Sequence, residues 1–440
     1  MKENIVAAEL LTCGICPLRC KYCYIPKTKE MKELHKEILK NLKTVFLTNL
    51  KTFYGARLKY LGFWGTEPAT TFKEELEVVK EVLKFTPLQE VSFSTSFIFP
   101  VKDYLEFLID LDKLNYPFKV KMQISLDGPE WITDVNRRKG ATQIIIKNFK
   151  ELIDKLNDIE FRNIRLDLHW KSTISIENMK LMNSNTHLID EFFAFFEGLN
   201  DYFRRNNRNK RVFLKFGSYV PTLVVPGKYT VEDGKVFAEF LRNLHRKGKD
   251  SSYTFRLLRL LKNYRYMRIK SNSGTCSGGD SNFGVSDRIL ICHRLFYLNC
   301  DKYIESVLAT DIENWDVSVF ERGFINIIRE KFSPKPDDEE EIIRFLYVLR
   351  SYHDFWRLKL ASSEALVIEL ARANLVDKIF LESKELRLLL ALFLHTGFSC
   401  PAENLLNTGN LYTPPTSLIK LWGNGAFQEL VRHVLSRRTK

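Results

Sequence analysis

The chain has 440 residues, 45% of them hydrophobic, and a formal net charge of +13. No run of about 18 or more apolar residues is present, which excludes a bilayer-spanning helix. The N-terminus lacks the basic and then apolar pattern of a secretory signal, so we expect a cytoplasmic protein without a membrane partner. The length suits two or three domains, or one barrel with an appendage.

Predicted strands and helices alternate through the first half of the chain. The strands are expected at residues 5–12, 57–64, 90–97, 119–126, 164–173 and 212–220. The helices are expected at residues 33–48, 72–84, 102–111, 144–156 and 187–197. This repetition predicts an α/β fold with a parallel sheet, namely a partial (β/α)6 TIM-like barrel over residues 1–246. Chemistry in such folds takes place at the carboxyl ends of the strands.

The pattern changes near residue 247. A basic helix at 253–269, a Gly/Ser-rich stretch at 271–284 and a β-hairpin at 288–296 together predict a separate region, 247–305. An acidic linker at 333–341 leads into the predicted helices 340–358, 364–373 and 384–394. The remainder, 306–440, is therefore expected to be a helical C-terminal region.

Four of the eight cysteines fall within eleven residues, which favours metal binding over disulfides in a cytosolic chain. Cys16, Cys20 and Cys23 have the spacing C-x3-C-x2-C. Three thiolates on a short loop can hold three irons of a [4Fe–4S] cluster, leaving the fourth iron open to a small molecule. A structural zinc site is the alternative; zinc usually takes four ligands, and Cys13 could be the fourth.

This spacing, with the aromatic Tyr22 directly before the third cysteine, resembles the signature of the radical S-adenosyl-L-methionine (SAM) superfamily. The resemblance implies that Cys16, Cys20 and Cys23 are catalytic metal ligands and that Tyr22 contacts the cofactor. It also implies that SAM binds the open iron and that one electron cleaves it to a 5′-deoxyadenosyl radical, which abstracts hydrogen from the substrate. A reductant such as ferredoxin or flavodoxin would supply that electron.

A second motif follows the second predicted strand, where Gly65, Thr66, Glu67 and Pro68 stand in succession. They resemble the family's GGEP motif, which contacts the amino group of SAM, with Thr66 in place of the usual second glycine. The resemblance makes all four cofactor-binding candidates and gives Glu67 the carboxylate for the SAM ammonium. At the third strand, residues 95–97 (Thr-Ser-Phe) depart from the Thr-Asn-Gly that is frequent in the family.

A third motif follows the fourth predicted strand: residues 125–129 read Ser-Leu-Asp-Gly-Pro, with Asp134 and Arg137 downstream. This resembles the S-x-D-G-P…D-x-x-R segment of the peptide- and protein-modifying branch. It implies that Ser125 contacts SAM and that Asp127 is a catalytic residue facing SAM or substrate. Asp-Gly-Pro is also good turn chemistry without any function.

The remaining cysteines resemble the start of the SPASM and twitch extensions, in which a hairpin flanked by two cysteines holds an auxiliary cluster. Cys276 and Cys292 are the expected ligands, with Cys400 as the third and Cys300 as the fourth; His293 is the alternative fourth ligand. The dense later run of cysteines of a complete SPASM region is absent, so one auxiliary [4Fe–4S] cluster is expected at most. Alternatively, these cysteines are buried apolar thiols.

Three functions follow from these patterns. The first is a radical SAM enzyme that acts on a peptide or protein substrate in maturation, crosslinking or oxidation. The second is radical SAM modification of RNA or a nucleotide, suggested by the net charge and by basic segments at 204–211 and 256–270. The third is a non-enzymatic iron–sulfur or zinc-binding scaffold.

Overall fold

The computed structural model describes residues 7–11, 16–23, 25, 27–65, 67–215, 219–221, 229–265, 282–285, 289–290, 354–394 and 414–436. Its described strands are β1 (Ala7–Leu11), β2 (Tyr60–Trp64), β3 (Glu90–Thr95), β4 (Phe118–Ser125), β5 (Ile164–Ile174), β6 (Val212–Lys215), β7 (Tyr219–Pro221), β8 (Asn282–Val285) and β9 (Ile289–Leu290). They form a sheet in the order β6-β5-β4-β3-β2-β1-β8-β9, and β7 pairs with the end of β5. Strands β1 to β6 pair in parallel. The fold is therefore an unclosed, mostly parallel α/β sheet, as predicted for a partial barrel.

The helices of the α/β part are α1 (Lys29–Lys40), α2 (Leu47–Tyr54), α3 (Phe72–Leu83), α4 (Val101–Asp112), α5 (Glu130–Asn136), α6 (Ala141–Leu156), α7 (Ile176–Ser184), α8 (His187–Asn206) and α9 (Val231–Arg246). Those that follow are α10 (Ser252–Arg265), α11 (Asp354–Arg372), α12 (Ile379–Glu382), α13 (Lys384–Phe393), α14 (Thr416–Gly423) and α15 (Ala426–Ser436). None of these described helices is long and apolar enough to cross a membrane.

The alternation of residues along the strands explains which face of the sheet is packed. In β4, Phe118, Val120, Met122 and Ile124 are buried, while the residues between them are half-buried. Successive side chains of a strand point to opposite faces, so one face packs on apolar helix surfaces and the other is only partly covered. The packed face belongs to the main hydrophobic core.

Several predicted elements differ from the structure. The helix predicted at 33–48 is α1, a π-helical turn at Leu42–Phe46 and α2. The strand predicted at 212–220 is divided: β6 pairs with one part of β5 and β7 with another. The break predicted between residues 358 and 364 is wrong, because helix α11 runs through it. Ala361 and the residues after it are compatible with a helical backbone. The rest of the predicted helix 340–358 lies outside the described residues.

Of the hairpin predicted at 288–296, only β9 lies within the described residues, and it pairs antiparallel with β8. Its first strand lies earlier than expected, at Asn282–Val285, and extends the sheet by pairing in parallel with β1. The hairpin therefore lies beside the strand that leads into the cysteine loop.

Helix α9 was not predicted, and it organises the C-terminal helices. It packs against α7, α14 and α15. A Cβ at Gly234 would lie 2.6 Å from the carbonyl oxygen of Lys420, so only glycine permits this approach of α9 to α14. The three-region division of the chain stays a prediction.

Candidate active site at the carboxyl edge of the sheet

The first three sequence motifs meet at one edge of the sheet. Strands β1, β2 and β4 run in parallel, so the loops that follow them leave from the same edge. These loops carry the cysteines, the Glu67 turn and the Asp127 turn. The sheet therefore brings together residues that are far apart in the sequence.

The cysteine loop after β1 offers three thiol groups. Cys16, Cys20 and Cys23 are free and half-buried. The Cys23 amide donates a hydrogen bond of 3.0 Å to the Cys20 carbonyl, and the Lys21 amide donates one of 2.9 Å to the Asn136 carbonyl. The loop is thus closed on itself by a turn and tied by its backbone to the end of α5.

The donor set of this loop fits an iron–sulfur cluster. Within the described residues, no three His, Cys, Asp or Glu side chains converge as ligands of a single metal ion. A zinc ion holds every thiolate at about 2.3 Å from one point, whereas a four-iron cluster is ligated at separate iron atoms. Three thiols on an eight-residue loop can each ligate a separate iron of such a cluster. Cys13, the fourth candidate for zinc, lies outside the described residues.

Cys16 and Cys20 are buried enough to stay protonated until a metal displaces the proton. Burial raises the pKa of Cys16 to about 11, and the nearby Glu67 carboxylate adds to the rise. Burial also raises the pKa of Cys20, an effect that the Arg137 guanidinium opposes. Metal ligands must be thiolates, so cluster assembly would release protons.

Glu67 is a fully buried carboxylate whose described partners are all uncharged. Its Oε1 accepts hydrogen bonds from the Thr95 hydroxyl at 2.6 Å and the Ala69 amide at 3.3 Å. Its Oε2 accepts from the Ser96 amide at 2.8 Å and from the Ser96 hydroxyl. Burial raises the pKa of Glu67 despite these bonds. The carboxylate is held rigidly but its negative charge is not compensated, which is the environment that suits an incoming ammonium group.

The turn that carries Glu67 has its own local requirements. Gly65 has a φ of 130°, a conformation that favours glycine. Glu67 then caps a short 3₁₀ turn, Pro68–Thr70, with the buried Pro68 at its first position. These constraints explain why a Gly-x-Glu-Pro pattern ends β2. Thr66 lies outside the described residues.

Asp127 is also fully buried, but its carboxylate is engaged by charged and polar donors. Arg137 binds it in a bidentate manner, with Nε 3.0 Å from Oδ2 and Nη2 2.8 Å from Oδ1. The Tyr22 hydroxyl donates to both oxygens, at 2.9 and 2.7 Å, and the Thr173 amide donates to Oδ1 at 3.1 Å. A carboxylate has about four acceptor positions, and these bonds occupy them.

Two further residues of the third motif have clear positions. Ser125 is the last residue of β4, half-buried and opposite Lys171 of β5. Asp134 accepts hydrogen bonds from the Thr142 amide at 2.9 Å, the Thr142 hydroxyl at 2.6 Å and the Gly140 amide. Asp134 therefore stabilises the start of α6. Of the two residues, only Ser125 lies at the carboxyl end of a strand beside the other motifs.

The auxiliary-cluster candidates cannot be placed in the same way. Cys276, Cys292, Cys300, Cys400 and His293 all lie outside the described residues.

The sequence patterns did not assign roles to Thr95, Ser96 and Arg137. Thr95 ends β3 and Ser96 follows it. The departure from Thr-Asn-Gly obscured them, yet they supply three of the bonds to Glu67. The adjacency of β2 and β3 in a parallel sheet could have indicated them. Phe97 takes the left-handed conformation with φ 56°, which explains why glycine suits that position.

Comparison with protein-family models gives no match, and comparison with curated proteins gives none either. Among solved structures, the chain is similar to Streptococcus suis SuiB bound to precursor peptide SuiA, with a TM-score of 0.36 and 15% identity, over 68% of this chain and 62% of that one. It is also similar to SuiB bound to S-adenosylmethionine, with a TM-score of 0.37 and 14% identity, over 66% and 60%. The chain thus spans less than two thirds of either structure. Likenesses of this size say nothing about substrate or reaction.

Proposed function

We propose that the chain is a radical SAM enzyme that acts on a peptide or protein. The observation that carries the proposal is Glu67, a buried carboxylate that has no cationic partner among the described residues and that lies close enough to Cys16 to raise the pKa of that thiol. An amino-acid cofactor whose ammonium group reaches Glu67 would therefore lie beside the cysteine loop. That is the position in which an open iron of a cluster could also hold it.

Each residue would have a defined part in that site. Cys16, Cys20 and Cys23 would hold the [4Fe–4S] cluster, and Glu67 would receive the ammonium group of SAM. Thr95 and Ser96 would keep Glu67 oriented through their bonds to its two oxygens, and Ser125 would face SAM from the end of β4. When bound, the cluster and SAM supply a 5′-deoxyadenosyl radical that takes a hydrogen atom from the substrate, which the protein shields from water.

The peptide or protein substrate is supported by the Ser-Leu-Asp-Gly-Pro segment at 125–129. The same proposal includes one auxiliary cluster held by Cys276, Cys292, Cys400 and Cys300, and electrons from a ferredoxin or flavodoxin. RNA or nucleotide modification is the alternative, but the basic loop at 204–211 gives it no specific support. Arg204 pairs with Asp201 there, and Arg211 donates to the Arg162 carbonyl at 3.1 Å.

Anaerobic reconstitution tests the proposal directly. The full-length protein, loaded with iron and sulfide and given SAM and dithionite, should release 5′-deoxyadenosine. Ala at Cys16, Cys20 or Cys23 should remove about four irons, one cluster's worth, and abolish the release. Lys21→Ala, an exposed position in the same loop, is the matched control and should retain both.

The same assay separates the alternatives. A full iron complement without 5′-deoxyadenosine would contradict the enzymatic proposal and leave an iron–sulfur scaffold. Zinc at one equivalent with no iron uptake would indicate the structural zinc site. Ala at Cys276 or Cys292 should remove about four irons, one cluster's worth, and spare part of the SAM cleavage.

A further inference from the structure

A buried ion pair connects the cysteine loop with the sheet. Asp127 has a fully buried side chain and that of Arg137 is 7% exposed. The pair is tied to the loop by Tyr22, 105 positions from Asp127 in the sequence, and to β5 by the Thr173 amide. Since these bonds occupy the carboxylate oxygens of Asp127, it has no remaining position from which to accept a proton or bind a substrate.

We propose that Asp127 is a positioning residue, and that with Tyr22 it holds the Arg137 guanidinium against Cys20, where Arg137 stabilises the reduced form of the cluster. This inference rests on the proposed function, because it requires a cluster on Cys20. It replaces the catalytic role that the sequence motif implied for Asp127 with an indirect one.

The geometry of Arg137 gives its guanidinium a direction. Nε and Nη2 face Asp127, while the remaining nitrogen, Nη1, lies 4.0 Å from the Cys20 sulfur. A guanidinium is a rigid planar fork, so fixing two nitrogens on Asp127 fixes the third on the sulfur. The Tyr22 ring lies over the guanidinium, with the Cζ atom of Arg137 5.5 Å from the ring centroid.

The electrostatics of the pair favour negative charge at Cys20. The Arg137 guanidinium reaches the Cys20 sulfur through Nη1 at 4.0 Å, while Asp127 binds the other two nitrogens, so the positive group is the one that contacts the sulfur. Reduction adds one electron to the cluster, and net charge and hydrogen bonds to the sulfurs set its potential. A buried cation beside one ligand should therefore make the cluster easier to reduce.

The test uses the reconstituted full chain, titrated with dithionite as electron donor and followed by electron paramagnetic resonance. Arg137→Gln should lower the midpoint potential of the cluster on Cys16, Cys20 and Cys23. The reduction equilibrium should change at least about tenfold, which corresponds to 59 mV for one electron. Arg137→Lys, which retains a positive charge, should lie closer to wild type. Arg138→Gln is the matched control, because Arg138 is the exposed neighbour of Arg137, and it should leave the potential unchanged.

A wild-type potential in Arg137→Gln at full iron content would overturn the inference, and so would equal shifts in Arg137→Gln and Arg137→Lys. Tyr22→Phe provides a second measurement if Arg137→Gln does not fold. It removes only the hydroxyl that joins the loop to Asp127, and iron should then be lost to a chelator several-fold faster than from wild type. An unchanged rate of iron loss would contradict the role of Tyr22 in holding Arg137 against Cys20.

Failure of this inference is distinguishable from failure of the proposed function. A wild-type protein that holds the cluster but releases no 5′-deoxyadenosine would refute the proposed enzyme, and the potential of Arg137→Gln would still report on the ion pair. A wild-type protein that releases 5′-deoxyadenosine while the variants keep its potential would refute the ion-pair role alone.

Discussion

Two carboxylates at the same edge of the sheet, Glu67 and Asp127, have the same burial and opposite surroundings. Both are 0% exposed. Glu67 accepts bonds only from uncharged donors among the described residues, and burial raises its pKa. Asp127 is neutralised by the bidentate Arg137. The comparison teaches that burial alone does not identify a ligand-binding acid. Glu67 has no cationic partner in the described part of the chain and suits a ligand that brings one, whereas Asp127 already has its partner.

Asp127→Asn should show the largest effect, and the effect should be on stability. The substitution leaves the Arg137 cation buried without its partner, and breaking a buried pair in this way costs about 3–5 kcal/mol. The unfolding midpoint of the cluster-free protein, measured with heat or denaturant, should fall clearly. Asp158→Asn, at an exposed position, should leave it unchanged. If Asp127→Asn were as stable as wild type, the carboxylate would not be structurally paired.

Glu67→Gln should have the contrasting outcome. It removes an uncompensated buried charge, which offsets the acceptor oxygen that two of its hydrogen-bond donors lose, so the cluster-free protein should lose less stability than Asp127→Asn does. SAM binding should suffer, because a hydrogen bond to a charged group contributes about 1.5–3 kcal/mol, or about 10- to 100-fold in Kd. Equilibrium dialysis of SAM measures this, with the exposed Glu160→Gln as control. Unaltered SAM affinity would refute the assignment of Glu67.

The pH dependence of stability should also distinguish Glu67. Its pKa in the folded protein is raised above the ordinary value of 4.5, so the stability that it contributes is fully present below pH 4.5. That contribution is lost as the pH rises through the folded-state pKa, with a slope of at most about 1.4 kcal/mol per pH unit. The difference in unfolding midpoint between wild type and Glu67→Gln, followed upward from pH 4.5 without SAM, should show this loss. A constant difference would contradict it.

Thr95→Val should have the smallest effect on SAM affinity. It removes the hydroxyl that donates to Glu67 at 2.6 Å, and one hydrogen bond contributes about 1 kcal/mol, so SAM affinity should fall slightly. The same hydroxyl pairs with the Tyr104 hydroxyl at 2.9 Å and accepts from the Phe97 amide at 2.9 Å, so stability should fall by more than the loss of one bond. Ser94→Ala, which loses a bond from Gln123 instead, is the matched control and should leave SAM affinity unchanged. A larger loss of affinity in Ser94→Ala than in Thr95→Val would place the ligand elsewhere.

The sequence predicted the sheet better than the helices between its strands. Short apolar runs separated by amphipathic helical stretches located the first six strands, because the composition of a strand is a local property. Helix α9 was missed although Thr230 and Asp233 form a capping box at its start, a signal that the pattern of apolar residues did not include. The break expected near Ala361 was wrong. The apolar pattern is interrupted at that position, but the helix continues through it.

The candidate site was predictable to the extent that its motifs are local. The cysteine spacing, the Gly-x-Glu-Pro turn and the Asp-Gly-Pro turn each depend on a few neighbouring residues, and the sequence alone determined that they end parallel strands. Only the tertiary structure decided which carboxylate is paired. Thr173 reaches Asp127 and Thr95 reaches Glu67 because β2 to β5 are neighbours in the sheet. Arg137 and Tyr22 reach Asp127 from the end of α5 and from the cysteine loop. Whether a buried charge has a partner depends on side chains that are distant in sequence, and no local pattern records it.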